Sequence, residues 1–180
     1  MKKVLLVGIL CAAFLIPAAA RAELGIGGGI FYNRQLGDIK DSDDWKFDKD
    51  FVSYMVSLKY QVANILGLEG SVDYYNGSGT IDYTLRPMGT AVLSIPLPIL
   101  DLFNVGVGIN STYTKYKESG GGSTVDWFKL SYHFKAGIQL PIADLLWICG
   151  DCYYFVDELK DIEDFDSDLL TFGARALLRF

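Results

Sequence analysis

Trp127-Phe128-Lys129-Leu130-Ser131-Tyr132-His133-Phe134-Lys135-Ala136-Gly137-Ile138-Gln139-Leu140 is the stretch that decides the fold. Phe128, Leu130, Tyr132, Phe134, Ala136, Ile138 and Leu140 occupy every second position, and Trp127, Lys129, Ser131, His133, Lys135, Gly137 and Gln139 fall between them. A period of two belongs to a strand, because successive side chains on a pleated backbone point to opposite faces. One face is apolar. The other mixes basic side chains with glycine, serine and amide groups.

The pattern recurs on both sides of this stretch. Leu24, Ile26, Gly28, Ile30 and Tyr32 alternate with Gly25, Gly27, Gly29, Phe31 and Asn33. Val52, Tyr54, Val56, Leu58 and Tyr60 alternate with Phe51, Ser53, Met55, Ser57, Lys59 and Gln61. Leu68, Gly70, Val72 and Tyr74 stand against Glu69, Ser71, Asp73 and Tyr75. Tyr83, Leu85, Ala91, Leu93 and Ile95 stand against Asp82, Thr84, Arg86, Thr90 and Ser94, but Pro87 and Met88 interrupt the run and leave its register open. Phe103, Val105, Val107, Ile109 and Tyr113 alternate with Asn104, Gly106, Gly108, Asn110 and Thr112. Leu146, Ile148, Cys152, Tyr154 and Val156 alternate with Trp147, Cys149, Asp151, Tyr153 and Asp157. Leu170, Phe172, Ala174, Ala176, Leu178 and Phe180 close the chain against Thr171, Gly173, Arg175, Leu177 and Arg179. Eight strands are expected, each of the nine to eleven residues that a tilted crossing of a bilayer requires.

The second face selects the kind of sheet. A soluble sandwich turns its apolar face inward and a charged face to water. Here the polar face is rich in Gly, Ser, Thr and Asn with charges of both signs, and the apolar face carries Tyr and Phe towards its ends. That describes a lipid-facing band around a polar interior. Closure then follows, since an unpaired strand edge in hydrocarbon leaves backbone groups unsatisfied. The expected fold is all-β, an eight-stranded antiparallel transmembrane barrel, with a soluble lipocalin-like barrel as the alternative. The connections alternate in character. Arg34 to Asp50, Asn76 to Gly79, Glu118 to Ser123 and Glu158 to Asp168 are polar, whereas Val62 to Ile65, Pro96 to Leu102 and Pro141 to Asp144 are short and nearly apolar.

The first twenty-two residues read as a separate element. Met1-Lys2-Lys3 precedes an uncharged run from Val4 to Ile16, Pro17 breaks it, and Ala20-Arg21-Ala22 supplies a small-x-small cleavage pattern before Glu23. The run is too short to cross a bilayer as a helix. Residues 1–22 are thus expected to be a cleavable signal peptide and 23–180 the barrel. Removing Lys2, Lys3 and Arg21 leaves 13 basic against 22 acidic side chains, a formal charge of −9 instead of −6. Such a balance excludes a nucleic-acid binder, which needs a basic face. The leader excludes a cytoplasmic enzyme.

A cleavable leader, eight alternating strands, the glycine-rich run Val105-Gly106-Val107-Gly108-Ile109 and a chain ending in Leu178-Arg179-Phe180 resemble the small outer-membrane β-barrel proteins of the OmpA/OmpX-like and opacity-protein group. The resemblance spans the mature chain through pattern more than motif. It implies the outer membrane of a Gram-negative bacterium, both termini in the periplasm, and a terminal strand carrying Phe172, Leu178 and Phe180 that is read by the barrel-assembly machinery. It fixes no activity, because the group includes structural, adhesive and enzymatic members.

Chemistry-bearing residues gather on the inward face. Lys59, Arg86, Lys129, Lys135, Arg175 and Arg179 face Glu69, Asp73, Asp82 and Asp151, with His133 among them. Eight strands enclose an interior that side chains fill, so these charges are expected to pair into a lumen network. His133 is the sole histidine, and Ser131 stands two residues before it on the same face, a spacing compatible with a nucleophile and its base. Cys149-Gly150-Asp151-Cys152 has the spacing of a redox or metal motif, but on a strand the two thiols face opposite sides. Asp164-x-Asp166-x-Asp168 lacks the glycine and closing glutamate of an EF-hand loop. No metal and no cofactor are expected. The preferred role is a monomeric envelope protein with a filled polar lumen, in contact with outer-membrane lipid and lipopolysaccharide and binding no nucleic acid. The alternatives are a narrow porin-type channel and, behind it, a lipid A-modifying barrel enzyme.

Overall fold

The computed structural model describes residues 23–33, 51–62, 65–77, 81–95, 102–117, 125–158, 166 and 169–180. The expected leader, the Arg34–Asp50 loop and most of the Glu158–Asp168 run lie outside them. Eight strands are formed: β1 Glu23–Asn33, β2 Val52–Val62, β3 Leu66–Tyr75, β4 Ile81–Ile95, β5 Leu102–Tyr116, β6 Val125–Pro141, β7 Leu146–Val156 and β8 Leu170–Arg179. Each pairs antiparallel with the next, and β8 returns to β1, so the sheet closes. Leu24 and Phe180 exchange both backbone hydrogen bonds across this seam, at 3.2 and 2.8 Å.

The pairing register fixes the shape of the barrel. Followed from Glu23 it passes through Gln61, Gly67, Val92, Gly106, Lys135, Tyr153 and Thr171 and returns to β1 at Asn33, ten residues further along. Eight strands with that stagger tilt by about 41° and form a cylinder of about 8 Å backbone radius. At this tilt ten residues rise about 25 Å, the height of the apolar band of an outer-membrane barrel. β1, β2, β3, β7 and β8 have 10 or 11 residues and match it. β4, β5 and β6 correct the expectation of uniform strands. They run for 15, 15 and 17 residues, and the register aligns their lower ends with the others, so the excess stands beyond the band on the loop side.

Alternation holds in every strand. Ile26, Ile30, Val56, Leu58, Leu68, Val72, Val107, Ile109 and Leu130 are exposed on the outside. At the loop-side edge the outward positions are Tyr32, Tyr54, Tyr74, Tyr132, Tyr154 and Phe172, one from each of six strands, with Tyr83 and Tyr113 above them on the longer β4 and β5. Rings touch along this belt, Tyr32 against Phe172 at 5.6 Å and Tyr83 between Tyr74 and Tyr113 at 6.3 and 5.9 Å. An aromatic girdle at that height suits the boundary between hydrocarbon and headgroups. The register of β4 is also settled. Pro87 points outward opposite Val72 and Met88 points inward, so the alternation passes through both residues unbroken. Pro87 has no N–H to give, and the β4–β5 ladder skips from Leu85 to Met88 there.

Candidate functional site

The inward side chains stack in layers along the barrel axis. At the chain-terminal end lie Gln61, Ser94, Asn104, Gln139 and Trp147, with Glu23 and Arg179 at the rim. Lys59 and Cys149 come next, followed by a cluster of charges. Above the charges is an apolar layer of Phe31, Met55, Met88, Tyr153 and Phe155, all buried against one another. His133, Asp73, Arg86, Asn33, Ser53 and Thr171 fill the loop-side half.

The charge cluster draws on four strands. Glu69 of β3 accepts from Lys135 Nζ of β6 at 2.9 Å through Oε1 and 2.8 Å through Oε2, from Arg175 Nη2 of β8 at 2.7 Å, and from the Tyr153 hydroxyl of β7 at 3.2 Å. Arg175 also donates through Nη1 to Ser57 Oγ at 2.7 Å. Asp151 completes the group, with Oδ2 at 2.7 Å from Arg175 Nε and Oδ1 at 3.4 Å from Lys135 Nζ. These two are charge contacts off the hydrogen-bonding axis, since neither Asp151 oxygen accepts a hydrogen bond. All four side chains are fully enclosed, so each charge depends on the others for compensation. Glycines make the room. A Cβ on Gly29 would meet Arg175, on Gly137 would meet Asp151, and on Gly108 would meet His133.

Lys59 stands apart from this pairing. It lies directly across from Glu69 in the β2–β3 ladder, but Glu69 is taken by Lys135, Arg175 and Tyr153, and Lys59 Nζ has no hydrogen-bond partner among the described residues. Lys59, Lys135 and Arg175 thus outnumber Glu69 and Asp151 by one charge. On the loop side Arg86 and Asp73 are cross-strand partners, and the Arg86 guanidinium stacks on Phe155 at 4.0 Å. Asp73 Oδ2 accepts from Asn33 Nδ2 at 3.3 Å, and Asn33 is tied to Ser53 and Thr171.

Two expected members of the network, Asp82 and Arg179, fall elsewhere. Asp82 is half-exposed at the loop-side rim, 3.2 Å from Lys115, because a bulge between Ile81 and Tyr83 shifts the register and re-aims it. Arg179 lies at the opposite rim, paired with Glu23 and stacked 4.1 Å above the Trp147 ring, too low to reach Asp151. The Lys129 backbone pairs with Thr112, while its side chain lies outside the described residues. Tyr153 and Ser57 belong to the cluster but were not anticipated there. Tyr153 sits on the inward phase of its strand, a position at which a phenol needs a partner.

The Ser131 and His133 side chains do not meet as nucleophile and base. Ser131 donates to Asp157 at 3.2 Å. His133 Nδ1 lies 3.1 Å from Asn110 Oδ1 and Nε2 lies 2.8 Å from Thr90 Oγ1. An amide oxygen only accepts, which assigns the proton to Nδ1 and makes Nε2 the acceptor for the Thr90 hydroxyl. Cys149 is buried inside and Cys152 is half-buried on the outer face, and both are free thiols. Among the described residues no group of His, Cys, Asp and Glu is arranged to hold a metal ion. Phe172, Leu178 and Phe180 are all exposed on the outer face of the last strand.

Residues 4–180 match the family model described as an outer membrane protein beta-barrel domain. No curated protein matches the chain. Among solved structures it is similar to the N-terminal β-barrel domain of Pseudomonas aeruginosa OprF, with a TM-score of 0.61 at 11% identity over 88% of this chain and 97% of that one. It is also similar to Neisserial surface protein A, with a TM-score of 0.56 at 10% identity over 88% and 94%. Ail, the attachment invasion locus protein of Yersinia pestis, solved with the heparin analogue sucrose octasulfate, gives 0.51 at 19% identity over 88% and 97%.

Proposed function

Because the chain belongs to the outer membrane protein β-barrel family, we propose that it is an integral, non-enzymatic component of a Gram-negative envelope, with a lumen filled by side chains and a structural or surface-interaction role. The observation that carries this reading is the pair of buried clusters in mid-barrel. The charge cluster of Glu69, Asp151, Lys135 and Arg175 lies beneath the apolar layer of Phe31, Met55, Met88, Tyr153 and Phe155. The cluster ties β3, β6, β7 and β8 together, and its charges act as struts. Residues 1–22 serve as the leader, and Phe172, Leu178 and Phe180 present the last strand to the assembly machinery. The closed sheet leaves no strand edge within the membrane to pair with a second copy, which supports a monomer.

Proteoliposomes loaded with the protein should swell in isotonic arabinose no faster than empty vesicles. Rapid swelling would favour the second reading, a narrow channel, which draws on the buried polar groups either side of the apolar layer. Overexpression should leave the lipid A mass spectrum unchanged. A modified lipid A species abolished by His133→Ala would establish an enzyme instead.

A further inference from the structure

We propose that the chain-terminal half of the lumen binds a small free oxyanion, of the phosphate or carboxylate class, held by Lys59 together with Gln61 and Asn104. The inference goes beyond the structural role and requires only the barrel itself.

Charge is the first argument. Lys59 is 2% exposed and is the uncompensated member of a group of three cations and two carboxylates. A buried ammonium without a counter-charge costs several kcal/mol, and a bound anion removes that cost. Donors are the second. Lys59 Nζ, Gln61 Nε2 and Asn104 Nδ2 are buried and make no hydrogen bond among the described residues. Register places all three within about two residues of one level, and in a barrel of about 8 Å radius side chains from β2 and β5 reach the axis. Ser94 Oγ donates to Asn104 Oδ1 at 2.7 Å, which fixes the amide with its N–H₂ turned away from that contact. Gln139 Oε1 is a buried, unpaired acceptor at the same end, but it stands against three unpaired N–H donors of which one is charged, a balance that favours an oxyanion over a cation.

Space and access are the third. Gly25 and Gly67 occupy inward positions in this half, with the Leu177 side chain standing over Gly25 and the Lys59 stem over Gly67, so an anion is accommodated as these flexible side chains give way. The ion cluster and apolar layer separate the two halves. The way in is therefore the terminal mouth, narrowed by Arg179 between Glu23 and the Trp147 ring. A free oxyanion is expected to reach the site from this mouth, whereas a headgroup is held in the bilayer by its acyl chains.

The test is a calorimetric titration of inorganic phosphate onto the full chain, purified from outer membranes into a neutral, phosphorus-free detergent. Saturable binding at one site per barrel is expected. Lys59→Met should weaken it about tenfold or more, the loss of one charge-assisted hydrogen bond. Arg86→Met, which removes a cation beyond the apolar layer, should leave it unchanged. Should Lys59→Met fail to fold by circular dichroism, the double variant Gln61→Leu, Asn104→Leu replaces it, with the same tenfold loss expected. No saturable binding, binding indifferent to the substituted donors, or an equal loss in Arg86→Met would each overturn the proposal. A short-chain phosphatidylglycerol should not compete; competition at equal concentration would assign the site to a lipid headgroup and overturn it as well.

Discussion

Lys59 and Lys135 are both buried ammonium groups on inward positions, and they answer differently to removal. Lys135 bridges Glu69 and Asp151, so Lys135→Met leaves two enclosed carboxylates to share Arg175. Breaking such a cluster from one side costs about 3–5 kcal/mol. Lys59 has no acceptor to abandon, and methionine fills its volume without charge. We therefore expect Lys59→Met to be neutral or mildly stabilising in urea unfolding from lipid vesicles, with Lys135→Met lower by about 3–5 kcal/mol. Equal losses in the two variants would contradict the charge count on which the oxyanion site rests.

At the scale of the strand, the two faces use glycine for opposite reasons. A Cβ on inward Gly173 would press on the Ile30 carbonyl at 2.2 Å and on Phe31 Cα at 2.7 Å, whereas outward Gly70 and Gly89 have nothing within 4 Å. Those two are cross-strand partners on the floor of a shallow lipid-facing groove of about 550 Å³ walled by Leu58, Leu68, Val107 and Ile109. Gly89→Ala should thus raise stability by about 0.5–1 kcal/mol by restricting the unfolded chain. Gly173→Ala should lower it by about 1–3 kcal/mol through overpacking. The same order for both in vesicle unfolding would mean the faces are misassigned. Which face each residue takes was legible in the sequence, because the pleat imposes a period of two and a one-residue slip would turn every Ile and Leu inward. Which charges meet was not. Glu69 finds Lys135 and Arg175 at separations of 66 and 106 residues, set by the ten-residue stagger of the closed barrel, and no local pattern encodes a stagger. Asp82 shows a second limit: its phase reads as inward, and a single bulge turns it to the rim beside Lys115. The alternation of β4 and β6 already ran over Asp82–Ile95 and Trp127–Leu140, longer than a minimal crossing, whereas β5 continues past Tyr113 through Thr114 and Lys115, where the apolar alternation stops.

For the whole molecule, the inward side chains place an apolar cluster in mid-barrel with buried polar groups towards both ends. An outer belt of tyrosines fixes its height in the membrane, the seam between Leu24 and Phe180 completes the cylinder, and the acidic connections carry most of the net negative charge to the loop side. Phe31, Met55 and Met88, with Tyr153 and Phe155, are proposed to shut the path above the ion cluster. Single-channel recording in planar bilayers tests this closure most directly. The wild-type barrel should be silent under an applied voltage, and the triple variant Phe31→Ala, Met55→Ala, Met88→Ala should show small openings. Steady, reproducible openings from the wild-type protein would contradict the account and make the inward charges the lining of a conducting pore.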